Sequence, residues 1–171
     1  MTRPFEGVKI LDFTQVLAGP YASYQLALLG ADVVKVERRE GEDMRRTPLS
    51  REWADRGLAP GWQAINGNKR SLTLDLSRPE AITIVKQLAA SADVVMENFR
   101  PGVMGKLGIG YAELSAINPR LIYCAISGFG QTGASPRSAH SRLSGVRRMS
   151  SPSRRSTLMT SAPSKASWKL A

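Results

Sequence analysis

Histidine and cysteine each occur only once in this sequence, which restricts the chemistry that the chain can carry out. A lone cysteine, Cys124, excludes an internal disulfide, and its place in an apolar run predicts a small buried side chain. The lone histidine, His140, lies in a segment without apolar periodicity. The sequence therefore offers neither a histidine-based metal cluster nor a histidine-activated nucleophile in a folded region, and we expect no metal site.

Long apolar runs are also missing. No stretch approaches the ~18 apolar residues that cross a bilayer, and residues 1–6 lack the apolar core of a secretory signal. Apolar residues make up 42% of the chain and charged residues 22%, as in soluble globular proteins. These features predict a cytoplasmic protein that has no membrane partner.

Acidic residues are absent from the C-terminal part of the chain. Residues 1–133 contain 16 Lys and Arg and all 14 Asp and Glu, whereas residues 134–171 contain 8 basic residues, no acidic residue and eleven serines. We therefore predict a folded region over 1–133 and a disordered basic tail over 134–171. Such a tail can bind nucleic acid through phosphates, but Trp168 is its only aromatic residue, so we expect a solvated tail instead.

Short β-branched runs alternate with helical patterns over residues 1–133. We predict strands at 8–13, 32–37, 71–76, from 93 onward and at 121–127, and helices at 21–29, from 79 onward and at 111–117. Pro20 is placed to open the first helix, Gly30 to end it, and Ser77 to cap the second. The polar stretch 38–60 is predicted to be a surface excursion. This alternation predicts an α/β fold with a mostly parallel sheet.

The fourth predicted strand stops abruptly at a loop that carries an amide, an aromatic ring and a guanidinium, on Asn98, Phe99 and Arg100. Ligands of open parallel sheets bind outside the carboxyl ends of the strands, so this loop lies where a substrate is expected. Other loops carry cations, namely Arg38 with Arg39, Lys69 with Arg70, and Lys106. Cations in several strand-end loops favour a multiply phosphorylated ligand.

Two segments match parts of known nucleotide-binding motifs but lack the neighbouring residues that these motifs require. Residues 128–133 match the letters of the dinucleotide fingerprint, but no acidic residue follows them and no helical pattern opens there. Gly105 and Lys106 resemble the end of a phosphate-binding loop, but Leu107 replaces the Ser or Thr that binds magnesium. The sequence therefore predicts neither nicotinamide binding nor a P-loop.

Six spaced segments, in order between about Phe5 and Gly133, together resemble the class III coenzyme A transferases. This family includes formyl-CoA transferase, carnitine CoA-transferase and α-methylacyl-CoA racemase. The segments are 11–14 with 18–20, 29–37, 68–75, 97–102, 118–122 and 128–133. The resemblance implies that residues 1–133 are the incomplete N-terminal portion of a Rossmann-like large domain. It also implies an interlocked homodimer in intact members, acyl-CoA and a carboxylate as substrates, and no covalently bound cofactor.

The resemblance also implies a set of CoA-contacting residues. Val16, Leu17 and Ala18 would line the cleft, and Arg38 would approach the nucleotide end. Leu74 and Asp75 would border the adenosine. The cleft would be completed by Asn98, Phe99, Arg100, Lys106 and Leu107.

One departure from the family bears on activity. In the transferases an aspartate roughly 40 residues beyond the segment 128–133 attacks the acyl-CoA carbonyl, and this chain has no Asp or Glu after Glu113. The acid/base pair of the racemase branch is missing from the same region. We therefore expect a truncated, catalytically incompetent transferase, with residues 134–171 derived from a shifted reading frame. A non-catalytic CoA-binding pseudoenzyme and a racemase parent remain alternatives.

Overall fold

Five short strands form one sheet in the computed structural model, which describes residues 3–128, 130 and 131. The strands are β1 (Lys9–Asp12), β2 (Asp32–Glu37), β3 (Lys69–Thr73), β4 (Val94–Glu97) and β5 (Ile122–Ala125). Their order is β3-β2-β1-β4-β5, and every pairing in the described part is parallel. The predicted α/β class with a parallel sheet is confirmed, and the order is that of a Rossmann-like sheet.

The central strands are apolar because both of their faces are covered. Ile10 and Leu11 of β1, like Val95 and Met96 of β4, are each less than 5% exposed. The outer strand β3 is only half buried, and it begins two residues before the predicted start at Ser71. The reason is register, because Lys69 pairs with Val33 and the ladder with β2 then runs to Thr73.

The helices are short, and they fill the connections between strands. They are α1 (Ala18–Leu28), α2 (Arg51–Asp55), α3 (Pro60–Ala64), α4 (Pro79–Ala89), α5 (Val103–Lys106) and α6 (Tyr111–Ile117), with a 3-10 helix at Asp43–Arg46. The predicted helix 111–117 is found with those bounds. Helix α1 begins at Ala18, two residues before the proline that was predicted to open it. Pro20 is tolerated in the first turn because a proline there removes no intrahelical hydrogen bond. Gly30, which was predicted to end this helix, lies two residues after its last residue and has a φ of 108°.

Ser77 does not cap α4, so that prediction is wrong. The N-cap residue is Arg78, which makes no side-chain capping bond, and Pro79 is the first helical residue. The Ser77 hydroxyl instead donates to Oδ1 of Asp75 at 2.6 Å, and the Ser77 backbone N–H donates to the same oxygen at 3.0 Å. The nearby carboxylate is the stronger acceptor, and it folds the chain into a turn ahead of the helix.

Apolar side chains cover both faces of the sheet. The larger cluster includes Phe13 from the loop after β1, Val95 from β4, and Val85 and Leu114 from two helices. The smaller cluster, under α1, contains Cys124, which is 7% exposed. Burial raises the pKa of the Cys124 thiol, as suits the predicted small core residue. The predicted tail 134–171 lies outside the described residues.

Candidate functional site

All five strands end at the same edge of the sheet because they are parallel. From β1 the chain winds outward through β2 to β3, and then returns to the other side of β1 to form β4 and β5. The direction of winding therefore reverses between β1 and β4. In doubly wound sheets, ligands bind in the crevice at this switch point, outside the carboxyl ends of the strands.

The residues that the family resemblance singled out gather at this edge. The segment 16–18 follows β1, Arg38 follows β2, 74–75 follows β3 and 98–100 follows β4. Lys106 ends α5, and Leu107 is the next residue. The structure thus brings together loops from four strands that are far apart in sequence.

Asn98 joins the two loops that flank the switch point. Its Oδ1 accepts the backbone N–H of Gln15 at 2.8 Å, and its Nδ2 donates to the Gln15 carbonyl at 2.7 Å. Next to this clamp, Val16 and Leu17 are 53% and 58% exposed. The Asn98 amide therefore orders the edge, and the two apolar side chains beside it are accessible to a ligand.

The segment after Asn98 divides between core and surface. Phe99 and Leu107 pack partly buried against the larger apolar cluster. Arg100 is exposed, and it borders a cavity of about 280 Å³ that Tyr111 and Tyr123 also line. Among these residues, the Arg100 guanidinium is placed to reach a ligand at the edge.

Arginines line a cleft of about 300 Å³ beside the ends of β2 and β3. The charged residues that line it are five arginines and three carboxylates, namely Arg38, Arg39, Arg45, Arg46 and Arg56 with Glu37, Glu40 and Asp55. Arg38 donates through Nε to the Gly41 carbonyl at 2.7 Å and pairs with Asp43. Guanidinium groups bind phosphate oxygens in a planar, two-pronged geometry, so this cleft suits a phosphorylated ligand. All five arginines lie in the 38–60 excursion, and sequence patterns gave no reason to single out Arg45, Arg46 and Arg56.

Arg45, one of the residues that line this cleft, is held by its neighbours. It contacts both carboxylate oxygens of Glu37, at 2.9 and 2.6 Å, and its guanidinium lies 3.6 Å from the centre of the Trp62 ring. Burial acts to raise the pKa of Glu37, but the hydrogen bond and charge of Arg45 outweigh it and lower that pKa. Arg45 is therefore a structural cation and not one that faces a ligand.

The edge next to β3 carries Leu74 and Asp75. Leu74 extends the ladder by donating its N–H to the Glu37 carbonyl at 2.9 Å, and its side chain is partly buried. Asp75 is exposed, and the hydrogen bonds from Ser77 lower the pKa of its carboxyl. This carboxylate therefore remains ionised and can accept hydrogen bonds.

Lys69 and Arg70 do not serve as ligand-binding cations, contrary to the sequence prediction. The Lys69 ammonium is buried, and it donates to Asp12 Oδ2 at 3.1 Å and to two further oxygens at 2.8 Å. Arg70 pairs at 2.6 Å with Asp32, the first residue of β2. Both residues open β3, so they belong to the amino end of the strand.

A second buried ion pair lies beneath the loop that follows β1. Lys35 Nζ is 3.1 Å from Glu42 Oε1, and both side chains are only 2% exposed. Lys35 also donates to the Thr14 carbonyl at 2.7 Å. Sequence reasoning missed this pair; its one signal was a lysine inside a β-branched strand.

Glu97, the last residue of β4, is a buried carboxyl. Burial raises its pKa to about 7, although the hydrogen bonds from the Phe99 backbone and from Tyr123 oppose the shift. The Phe99 N–H lies 2.8 Å from Glu97 Oε2. The carboxyl therefore takes up a proton close to neutral pH.

The unfolding free energy should consequently fall as the pH rises from 4.5 to about 7. The folded chain holds a proton on Glu97 in this range, whereas the unfolded chain has released it. Glu97→Gln removes the proton, so the decline measured by urea unfolding at a series of pH values should become shallower. Glu80→Gln, at an exposed carboxyl, is the control. A slope unchanged by Glu97→Gln would contradict this origin.

Neither a metal cluster nor a membrane-spanning helix is found in the part of the chain that the structure describes. No group of three or more His, Cys, Asp or Glu side chains could hold a metal ion there. None of the helices within those residues is long and apolar enough to cross a bilayer.

Comparison with known proteins identifies the family. Residues 5–161 match the model of CoA-transferase family III, a match that extends past Gly133. The chain belongs to this family, and the resemblance in its six segments is confirmed. The edge described above is thus the strand-end edge of a family III CoA-transferase fold.

Individual relatives agree with this assignment. Human succinyl-CoA:glutarate CoA-transferase is 43% identical over 134 residues, which cover 77% of this chain and 30% of the relative. Succinate–glutarate CoA-transferase of Agrobacterium fabrum is 46% identical over 134 residues, covering 76% and 34%. A CAIB/BAIF family protein from Brucella suis superposes with a TM-score of 0.74 at 42% identity, covering 81% of this chain and 37% of that one. The chain thus spans about a third of the length of these relatives.

Proposed function

We propose that this chain binds coenzyme A and its thioesters along the carboxyl edge of the sheet, as the CoA-binding part of a CoA-transferase. The observation that carries the proposal is that the residues implied by the resemblance come together at one edge of the sheet. Nine of the eleven residues implied by the resemblance lie in the segments that follow the carboxyl ends of four strands, on both sides of the switch point. Membership of the family supports a CoA thioester as the ligand.

Charge along the edge suggests the direction in which CoA lies. The arginine cleft, with Arg38 at its rim, would hold the phosphates of the nucleotide end. Leu74 and Asp75, next to it at the end of β3, would contact the adenosine. Arg100, across the switch point, offers a further guanidinium to a phosphate. Several charge-assisted contacts of this kind suit a ligand that carries three phosphates.

Apolar surface would receive the rest of the molecule. Val16 and Leu17 are half exposed at the start of α1, between the arginine cleft and Arg100. Burying these side chains against the uncharged arm of CoA would remove apolar area from water. The thioester would then extend beyond this loop, toward residues outside the described part.

The parent reaction that we propose is transfer of CoA from an acyl-CoA to a carboxylate. A carboxylate nucleophile attacks the thioester carbonyl and CoA leaves as the thiolate, which gives a mixed anhydride. The thiolate then attacks the nucleophile's carbonyl, so the donor acid leaves and an enzyme-bound CoA thioester remains. The acceptor carboxylate attacks this thioester to form a second mixed anhydride, whose acceptor carbonyl the released thiolate then attacks to give the new acyl-CoA.

This 171-residue chain does not, in our proposal, complete that reaction alone. It has no Asp or Glu after Glu113, whereas the nucleophile of the family is expected beyond residues 128–133. The four buried carboxyl groups of the described part do not replace it in our proposal: Asp12, Glu37 and Glu42 each contact a Lys or Arg partner, and Glu97, whose pKa is raised to about 7, accepts the Phe99 N–H. Sequencing the locus would test whether a shifted frame produces residues 134–171.

The relatives favour the transferase branch over the racemase alternative. The human and Agrobacterium fabrum relatives are named as CoA-transferases, and both names include glutarate. These names support a carboxylate as the acceptor of the parent enzyme. A homodimer, as in intact members of the family, is likewise part of the proposal.

Titration of the full chain with CoA in a calorimeter tests the proposal. We expect a saturable heat of binding. The affinity for CoA should fall as salt is added, because salt screens the attraction between the phosphates and the arginines. The same preparation, mixed with an acyl-CoA and free carboxylates, should exchange no CoA. Absence of saturable heat would overturn CoA binding, and turnover would overturn the loss of catalysis.

Two arginines provide a matched comparison in this titration. Arg100→Ala removes a guanidinium at the carboxyl edge, and we expect the CoA affinity to fall about tenfold or more, as for loss of a charge-assisted hydrogen bond. Arg120→Ala removes an equally exposed guanidinium from the amino side of β5, and it should leave the affinity unchanged. Equal effects of the two substitutions would mean that CoA responds only to net charge.

A further inference from the structure

We propose that Glu42 is a positioning residue that holds the loop 14–17 in its ligand-binding shape. The inference rests on the proposed CoA site, because this loop carries the exposed Val16 and Leu17 at the switch point. Glu42 itself is buried and would not touch CoA. It acts through the backbone of the loop.

The backbone of this loop is strained at Val16. Its φ is 71°, in the left-handed region that β-branched residues rarely adopt. Strain of this kind persists only where the surrounding structure over-determines it, and it concentrates at ligand-binding and catalytic sites. Some part of the molecule must therefore hold Val16 against its own conformational preference.

Buried and half-buried side chains provide that restraint by bonding the loop backbone directly. Five successive polar backbone groups of residues 14–16 have side-chain partners. The Thr14 N–H donates to Asp12, the Thr14 carbonyl accepts from Lys35, both Gln15 groups bond Asn98, and the Val16 N–H donates to Glu42. In this loop, side chains thus provide the hydrogen bonds that the backbone of a helix or a strand provides for itself. One shape of the loop satisfies all five of these bonds.

Glu42 makes the bond at the strained residue. Its Oε2 lies 2.8 Å from the Val16 nitrogen, and its Oε1 lies 3.1 Å from Lys35 Nζ, which in turn binds the Thr14 carbonyl. The carboxylate is thus fixed by a buried cation while it holds the amide. Because hydrogen bonds to a charged acceptor are stronger than those between neutral groups, this contact can offset the strain.

Glu42 also links the two halves of the proposed cleft. It bonds the loop that carries Val16, and the next residue in the chain, Asp43, pairs with the Arg38 guanidinium. Its own N–H donates to Glu37 Oε1 at 3.3 Å, which ties it to the end of β2. The residue therefore sets the spacing between the nucleotide end and the apolar end of the site.

The experiment combines a change at Glu42 with one at Val16. Glu42→Ala removes the acceptor, so Val16 should return to negative φ and the CoA affinity should fall about tenfold. Val16→Gly removes a side chain that the proposal places against CoA, so its own loss of affinity is measured as the reference, and glycine adopts positive φ without strain. In the double variant, Glu42→Ala should then add little further loss, whereas additive losses would overturn the proposal.

Three further variants serve as controls for this experiment. Glu52→Ala, at an exposed glutamate of α2, is the matched control and should bind CoA like the wild type. Glu42→Gln keeps an oxygen for the Val16 N–H, so its loss of affinity should be smaller than that of Glu42→Ala. If Glu42→Ala does not fold, the comparison of Glu42→Gln with and without Val16→Gly decides the question in the same way.

Amide hydrogen exchange measured by NMR separates failure of this inference from failure of the proposed function. In the free wild-type chain the Val16 amide should be protected, and Glu42→Ala or Glu42→Gln should weaken that protection while Glu52→Ala should not. A wild type that shows this pattern but does not bind CoA refutes the proposed function alone. A wild type that binds CoA, with equal affinity and Val16 protection in Glu42→Ala, refutes the role of Glu42.

Discussion

Lys69→Met should reduce the unfolding free energy by about 3–5 kcal/mol, the loss expected when one partner of a buried ion pair is removed. The Asp12 carboxylate, which is fully buried, would keep hydrogen bonds from Thr14 and Ser23 but would lose its cation. A loss of this size is a large share of the ~5–15 kcal/mol that stabilises a typical domain. Urea unfolding followed by circular dichroism measures it.

The neighbouring residue provides the control. Arg70→Met removes an ion pair with Asp32 whose side chains are 67% and 45% exposed, and such surface pairs contribute at most about 1 kcal/mol. If charge loss alone mattered, the two substitutions would destabilise the chain equally. Asp12→Asn in the Lys69→Met background should recover part of the loss, because it removes the unpaired charge. Failure of that rescue would argue against an electrostatic origin.

This pair also shows why the sequence misled about Lys69. Next to Arg70 and a turn, a lysine has the composition of an anion-binding loop, and its partner Asp12 lies 57 positions away in the chain. Local pattern gives no information about a contact over that distance. Lys35 with Glu42 escaped notice for a different reason, because a charged residue in an apolar strand has no periodic signal that names its partner.

The elements that sequence predicted well have strong local signals. Strand β2 and helix α6 were found with the predicted bounds, β2 as a β-branched run and α6 as a short helical pattern. Strand β3 was misplaced because its first residues are charged, and tertiary pairing with β2 overrides their low strand propensity. The helices α2 and α3, within and just after the 38–60 excursion, were not anticipated, because a five-residue helix has too few periodic positions to give a sequence pattern.

The position of the site was more predictable than the hydrogen bonds within it. An alternating pattern implies parallel strands, and parallel strands place their carboxyl ends at one edge, so Arg38 and Arg100 could be assigned to that edge from sequence alone. The use of Asn98 as a clamp on Gln15 could not, because an amide in a loop can face either a ligand or a backbone. Burial and hydrogen-bond partners decide between these roles, and both are properties of the folded chain.

Gly19→Ala should be the other severe substitution, with an expected loss of about 3 kcal/mol or more, at or above the upper end of the usual cost of overpacking. A Cβ at this position would overlap the Cβ of Thr14 and come within 2.5 Å of its Cγ2. Thr14 cannot retreat, because it is fully buried and both its N–H and its hydroxyl bond Asp12. Helix α1 would therefore have to move away from the loop.

Gly105→Ala is the matched control for Gly19→Ala, because Gly105 also lies in a helix and a Cβ there meets no atom within 4 Å. Alanine favours a helix over glycine by about 1 kcal/mol, so this substitution should be neutral or stabilising. Urea unfolding of both variants gives the comparison. A Gly19→Ala chain as stable as wild type would mean that α1 can shift without cost. The switch-point loop would then not be held against the helix by close packing, and its shape would depend on hydrogen bonds alone.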